Sequence, residues 1–146
     1  VYITTPYLIL DNEFVTTLKT AAESGVDVRI ITPSHPDKWY VHMVSRSYYQ
    51  TLIQSGVKIY EYQPGFIHAK MCLCDDEAAM VGTANLDYRS LYLHYENAVL
   101  LYHTPVLAEI KKDIEETLEK SRLITIEAVS YTSALCALLK LLAPLM

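Results

Sequence analysis

The stretch "FIHAKMCLCDDEAAMVGTAN", residues 66–85, places His68 and Lys70 two positions apart. An acidic turn, Asp75-Asp76-Glu77, follows, and then Gly82-Thr83-Ala84-Asn85. An imidazole attacks or moves protons near neutral pH, and an ammonium supplies fixed positive charge. Thr83 and Asn85 add hydrogen-bond donors, and Gly82 admits a close backbone approach. Brought together, these groups form an anion site. The plain alternative is an exposed strand end, where a His and a Lys are ordinary.

Whether they meet depends on the elements around them. "ESGVDVRIITP" (23–33) and "QSGVKIYEYQP" (54–64) share Ser-Gly-Val, then a mainly apolar strand, then Pro. Gly25 and Gly56 fit the left-handed position that ends a helix, and Pro33 and Pro64 stop the strands. Upstream of each lies a helical pattern. Residues 12–23 follow Asp11 as N-cap, with Phe14, Leu18, Ala21 and Ala22 on one face; residues 39–54 carry Val41, Val44, Tyr48 and Leu52. Val1–Tyr7 supplies an earlier strand. Strand-helix-strand-helix-strand predicts parallel strands with crossover helices, and ligands collect beyond the carboxyl ends of such strands.

Only Gln63–Phe66 separates the third strand from the next, too short for a parallel crossover. Residues 67–74 should therefore run back antiparallel, with His68 at the carboxyl edge. Alternate strand residues share a face, so His68 and Lys70 point the same way, roughly 7 Å apart. A hairpin about residue 76 returns Ala78–Val81 to that edge, with Gly82 opposite Lys70 and Ala84 opposite His68. Asp75 lies on the other face, roughly 23 Å from His68 along a regular strand, where it supports the turn. Residues 96–102 form another strand that starts at the same edge. Residues 105–120 form a helix with charges at four-residue spacing, and "SALCALLKLLAPLM" forms a short apolar helix.

The chain has 146 residues, of which 51% are hydrophobic and 20% charged. That predicts one soluble globular domain over residues 1–146, with a core of its own. A net charge of −5 argues against a nucleic-acid surface, which carries a basic excess. Cys72, Cys74 and Cys136 lack metal-ligand spacing and read as reduced thiols, so neither a metal nor another cofactor is expected. No apolar run reaches membrane-spanning length and no signal peptide is visible. The strand-like start at Val1 reads as the later part of a longer chain.

"HAKMCLCDDEAAMVGTANLD" reads His-x-Lys-x4-Asp-x6-Gly-Thr-x-Asn and resembles the signature of the phospholipase D superfamily. With "TPYLILDNEF", "GVDVRIITP", "GVKIYEYQPGFIHAK" and "GTANLDYRS" around it, the chain resembles the C-terminal catalytic half of a bacterial cardiolipin synthase over nearly its whole length. The fold this implies is an α-β-α sandwich, a mixed and mostly parallel sheet with helices on both faces. The catalytic residues it implies are His68, Lys70 and Asp75, although geometry gives Asp75 only the turn. Lys70, Thr83 and Asn85 would bind phosphate. Glu96 would orient the His68 ring, with a plain edge carboxylate as the alternative.

The implied activity moves a phosphatidyl group between two phosphatidylglycerol molecules, through a phosphohistidine, to give cardiolipin and glycerol. One motif's His attacks phosphorus and another's protonates the leaving alkoxide. One motif is present, so the partner is a second such domain in the parent chain or a second copy of this one. The parent would work at the cytoplasmic face of the bacterial membrane. A homodimeric phosphodiesterase or nuclease, one motif per subunit, is the alternative. At the position before Glu96 the family reads Asn-Phe, whereas His94-Tyr95 stands here. His94 is expected to be a strand-end residue or to line the pocket. His35, His42 and His103 are expected to be structural. Arg89 would touch a phosphate or pair with an acid such as Asp87.

Overall fold

In the computed structural model, residues 1–129 and 134–143 are described. The elements run β1 (Tyr2–Thr4), α1 (Asn12–Glu23), β2 (Arg29–Pro33), α2 (Trp39–Gln54), β3 (Lys58–Tyr62), β4 (Met71–Cys74), β5 (Ala78–Gly82), β6 (Ala98–Tyr102), α3 (Val106–Glu119), β7 (Ser121–Leu123) and α4 (Ala134–Leu141). They build one seven-stranded mixed sheet in the order β6-β5-β4-β1-β2-β3-β7. The parallel pairs are β1–β2 and β2–β3, at the centre; β4, β5, β6 and β7 join through antiparallel pairs.

Local chemistry explains the crossover units. Asp11 accepts the Phe14 amide at 2.7 Å and starts α1, satisfying one of the free N–H groups of the first turn. Gly25 and Gly56 both sit at φ +94°, past the helix ends, a conformation that costs a side-chain-bearing residue energy. Behind them Val28, Ile30, Val57 and Ile59 are buried against Leu18, Val44, Tyr49 and Leu52 of α1 and α2. Full burial of each such aliphatic side chain contributes about 1.5–3 kcal/mol. The opposite face is closed by α3, whose Leu107 and Ile114 pack with Ile31, Leu73 and Ala79. Helices therefore cover both faces.

The expected strand over 67–74 is shorter than its pattern. It begins at Met71, because β1 supplies no pairing beyond Thr4, the partner of Met71. Two residues on, Pro6 has no N–H to extend the ladder, and the Thr5 amide turns to the Ile31 carbonyl at 3.0 Å. On the other side the pairing continues, with the Gly82 amide on the Lys70 carbonyl at 3.1 Å. The strand expected at 96–102 likewise starts later, at Ala98. Strand β7 was not expected: it is three residues long and pairs with β3. There Arg122 joins Arg46 on the buried carboxylate of Glu61, at 3.1 and 3.0 Å. The apolar tail forms α4 over Ala134–Leu141, and residues 130–133 and 144–146 of that stretch lie outside the described residues.

Candidate active site

All the segments carrying polar candidates end or begin at one edge. Strand β1 leaves there after Thr4, β4 enters there at Met71, β5 ends there at Gly82, and β6 starts there at Ala98. His68 is exposed just before β4. Its ring lies 5.7 Å from that of Phe66, which is 6.3 Å from that of Tyr7. Lys70 is half-buried and its Nζ donates to the His68 carbonyl at 2.7 Å. Burial lowers the Lys70 pKa, while the charges of Glu96 and Asp87 oppose that shift. A cation that has given up part of its hydration is poised to take an anion.

Thr83 sits where β5 releases the chain. Its amide donates to the Asn97 carbonyl at 2.9 Å, its Oγ1 accepts the Asn97 amide at 3.0 Å, and the hydroxyl donates to Glu96 Oε2. That last bond is the main reason the Glu96 carboxyl is held below its ordinary range. Ser90 adds a further hydrogen bond, and His94 and Lys70 add charge. Glu96 Oε1 lies 3.8 Å from His94 Nδ1. No hydrogen bond joins Glu96 to His68 among the described residues. Glu96, expected to orient the His68 ring, has its oxygens engaged by Thr83 and beside His94.

Asn85 Nδ2 lies 3.3 Å from Ser90 Oγ, and Asn85 Oδ1 is buried with no partner. The unpartnered atom is the amide's carbonyl oxygen, an acceptor, while the amide nitrogen donates to Ser90. The loop holding it is tied down on three sides. The Leu86 amide donates to Thr5 Oγ1 at 3.2 Å, the Ile9 amide to the Leu86 carbonyl at 2.8 Å, and the Ser90 amide to the buried Asp87 at 2.7 Å. A wide helical turn over Arg89–Leu93 follows, closed by the His94 amide on the Arg89 carbonyl at 2.8 Å. Tyr92 fastens it by donating to Asp11 Oδ2. This turn was not foreseen, although such five-residue loops in helical geometry gather at functional sites. Beside it opens a cleft of about 310 Å³ lined by Tyr7, Lys38, Asn85, Arg89, Ser90 and His94.

The expected role of Gly82 also changes. A Cβ there would meet the Asn97 carbonyl oxygen at 2.4 Å and Ala98 Cβ at 2.6 Å. The glycine makes room for β6. Asp75 lies at the other end of the hairpin, in a turn where Asp75 and Asp76 adopt φ +49° and +60°. It shares a hollow there with Val1, Asp27 and Lys111. The structure therefore separates Asp75, the one motif residue expected to be turn-bound, from His68, Lys70, Thr83 and Asn85. The Cys72 thiol, inside β4, is pushed up to about 12 by burial, so it is no nucleophile. His42 is half-buried on α2 with its pKa lowered by desolvation. His35 bonds to Ser34, and His103 packs on Tyr102.

A mixed sheet between helical layers, with a His-x-Lys pair and a Gly-Thr-x-Asn turn on one edge, defines a phospholipase D-like domain. The chain belongs to the family described as cardiolipin synthase, PLD-like domain, whose model matches residues 1–118. It is 49% identical over its whole length to an uncharacterized protein of Streptococcus mutans, covering 32% of that protein. It is 43% identical over 87% of its length to cardiolipin synthase 2 of Bacillus anthracis, covering 25% of it. Among solved structures, the phosphatidylserine synthase of Haemophilus influenzae superposes with a TM-score of 0.77 at 20% identity, over 99% of this chain and 39% of that one. The chain thus spans about a quarter to a third of the curated relatives it matches.

Proposed function

We propose that this chain is the C-terminal catalytic half of a cardiolipin synthase, moving a phosphatidyl group between two phosphatidylglycerol molecules. The observation that carries the reading is the meeting of His68, Lys70, Thr83 and Asn85 at one sheet edge in a chain with cardiolipin synthases among its relatives. In the first step a histidine nitrogen bonds to phosphorus and the bond to the glycerol oxygen breaks. The second histidine gives that oxygen its proton, and glycerol leaves. In the second step the same histidine takes the proton from the hydroxyl of another phosphatidylglycerol, whose oxygen displaces the first histidine from phosphorus. His68 supplies one of the two histidines. Lys70, with Thr83 and Asn85 beside it, holds the non-bridging oxygens, where charge is carried in the transition state.

The other histidine comes from a second domain, in the parent chain or in a second copy. A surface suited to it borders the site. Strand β6 is the sheet's edge, and Val99, Leu100 and Tyr102 on it, with Met80 on β5, are 57%, 74%, 64% and 47% exposed. A contiguous apolar edge of that kind calls for a partner. Among the described residues no helix is long and apolar enough to cross a membrane. The parent protein would bring the site to the cytoplasmic face of the bacterial membrane, and the acidic balance speaks against a nucleic-acid substrate.

The test uses the parent enzyme with His68→Ala, assayed on phosphatidylglycerol vesicles and on plasmid DNA. Loss of a histidine that attacks phosphorus or moves the proton costs about 10²–10⁴ in turnover, and more where the two roles are coupled. We expect cardiolipin formation to fall by at least that factor with the melting temperature unchanged. Near-normal synthesis by the variant would remove His68 from the chemistry. Cleavage of DNA by the wild type without cardiolipin formation would replace the substrate assignment.

A further inference from the structure

Resting on that reading, we propose that the cleft beside the edge cluster is an anion subsite. In it Lys38 and Arg89 hold the phosphodiester of the accepting lipid while Lys70 serves the phosphoryl group being transferred. The chemistry demands such a subsite. In the product, two phosphodiesters share one glycerol, so the acceptor must bring its own phosphate within a glycerol's length of the reacting one. Two anions that close repel strongly in a partly dehydrated site. Lys70 cannot balance both.

The cleft supplies what is missing. It is lined by Lys38 and Arg89 together with Tyr7, Ser90 and His94. Neither cation forms an ion pair within 4.0 Å among the described residues, although acids lie near both. Asp37 accepts the Tyr7 hydroxyl at 2.5 Å, and Asp87 accepts the Ser90 amide at 2.7 Å. Neither carboxylate closes on Lys38 or Arg89, so both cations remain open to an anion. Lys38 Nζ stands 5.9 Å over the Tyr7 ring, a contact that restrains the side chain without neutralising it. Arg89 projects from the wide turn that also positions Ser90. Guanidinium and phosphodiester match as paired donors and acceptors. The cleft also opens beyond β1 and β2 at their carboxyl ends, where ligands of parallel sheets gather.

Two reactions of the same enzyme separate the subsite from the reacting centre. Cardiolipin synthesis needs an acceptor bearing a phosphate. Exchange of labelled glycerol into phosphatidylglycerol uses the same donor and an acceptor without one. In the parent enzyme, Lys38→Gln with Arg89→Gln should lower the ratio of synthesis to exchange by about tenfold or more, the effect of ~1.4 kcal/mol of lost binding. Lys38→Arg with Arg89→Lys should restore most of it. Raising ionic strength should lower the wild-type ratio and leave that of the Gln variant flat. An unchanged ratio overturns the subsite. So does a parallel fall of both reactions, which would assign the cations to the donor or to folding. A wild-type enzyme that exchanges glycerol but makes no cardiolipin would instead overturn the function proposed above.

Discussion

Gly82→Ala tests whether the register of β5 and β6 builds the site. The added methyl would lie 2.4 Å from the Asn97 carbonyl oxygen, 2.6 Å from Ala98 Cβ and 2.8 Å from Ala98 Cα. Two of these are backbone atoms, and the third is fixed to the backbone, so no side-chain rotation relieves the clash. The strands must part where Gly82 pairs with Ala98. Overpacking of this kind costs about 1–3 kcal/mol. For a chain of this size each kcal/mol lowers the melting temperature by about 2–4 °C, so a fall of about 2–12 °C is expected. The damage should also be local. Thr83 is the next residue, and its three bonds to Asn97 and Glu96 span the gap that must widen. Amide exchange at Thr83 and Asn97 should accelerate well beyond the global change, and turnover in the parent enzyme should fall further than stability explains. A variant melting within about one degree of wild type, with protected Thr83 and full turnover, would refute the packing account of this glycine.

Burial lowers the Lys70 pKa below the ordinary 10.5, so the alkaline limb of kcat/KM for the parent enzyme should lie below the usual lysine range. The sign follows because the buried ammonium, the form that binds anions, is lost earlier as pH rises. Lys70→Arg should carry that limb out of range, and a wild-type limb at or above 10.5 would contradict the assignment. Glu61→Ala strands two guanidiniums on one buried carboxylate position. Because both partly reach water, the cost should be about 2–4 kcal/mol rather than the full buried-pair penalty; a loss under about 0.5 kcal/mol would show the pair to be idle. Asp75 holds φ +49°, so Asp75→Val should destabilise by about 1–2 kcal/mol with activity falling in proportion, and Asp75→Asn should be mild in both. Abolished activity in Asp75→Asn at an unchanged melting temperature would return Asp75 to the chemistry.

Much of this was legible because single residues announce single conformations. Gly25 and Gly56 mark helix ends, Asp11 marks a helix start, and the short Gln63–Phe66 link forbids a parallel crossover. The turn centred on Asp76 sets the register that seats Gly82 opposite Lys70, as the bond between their backbones attests. What escaped is what depends on distant partners. The start of β4 depends on Pro6, which follows β1, and β7 pairs with β3 where Arg122 meets Glu61. The partners of Glu96 follow from Thr83, thirteen residues earlier, and the wide turn at Arg89–Leu93 from Tyr92 reaching Asp11. None of these has a local pattern to read.

The alternation of strand direction explains why an anion site arises at this edge at all. Strands β1 and β5 end there, and β4 and β6 begin there, so residues that precede one strand meet residues that follow another. His68 and Lys70 come from an entry, Thr83 and Asn85 from an exit, and Glu96 from the next entry. Each pair is bridged by a ladder bond or a side-chain bond rather than by a helix cap. Such a site depends on register more than on composition. Deleting one residue from the turn at 75–77 would leave β4 and β5 able to pair, yet a one-residue slip turns every side chain of the slipped strand to the other face. Thr83 would leave Glu96 and take the place of Gly82 beside Ala98, where a side chain does not fit. The turn that carries Asp75 can thus govern the chemistry from the far end of the sheet, which reconciles its place in the motif with its distance from His68.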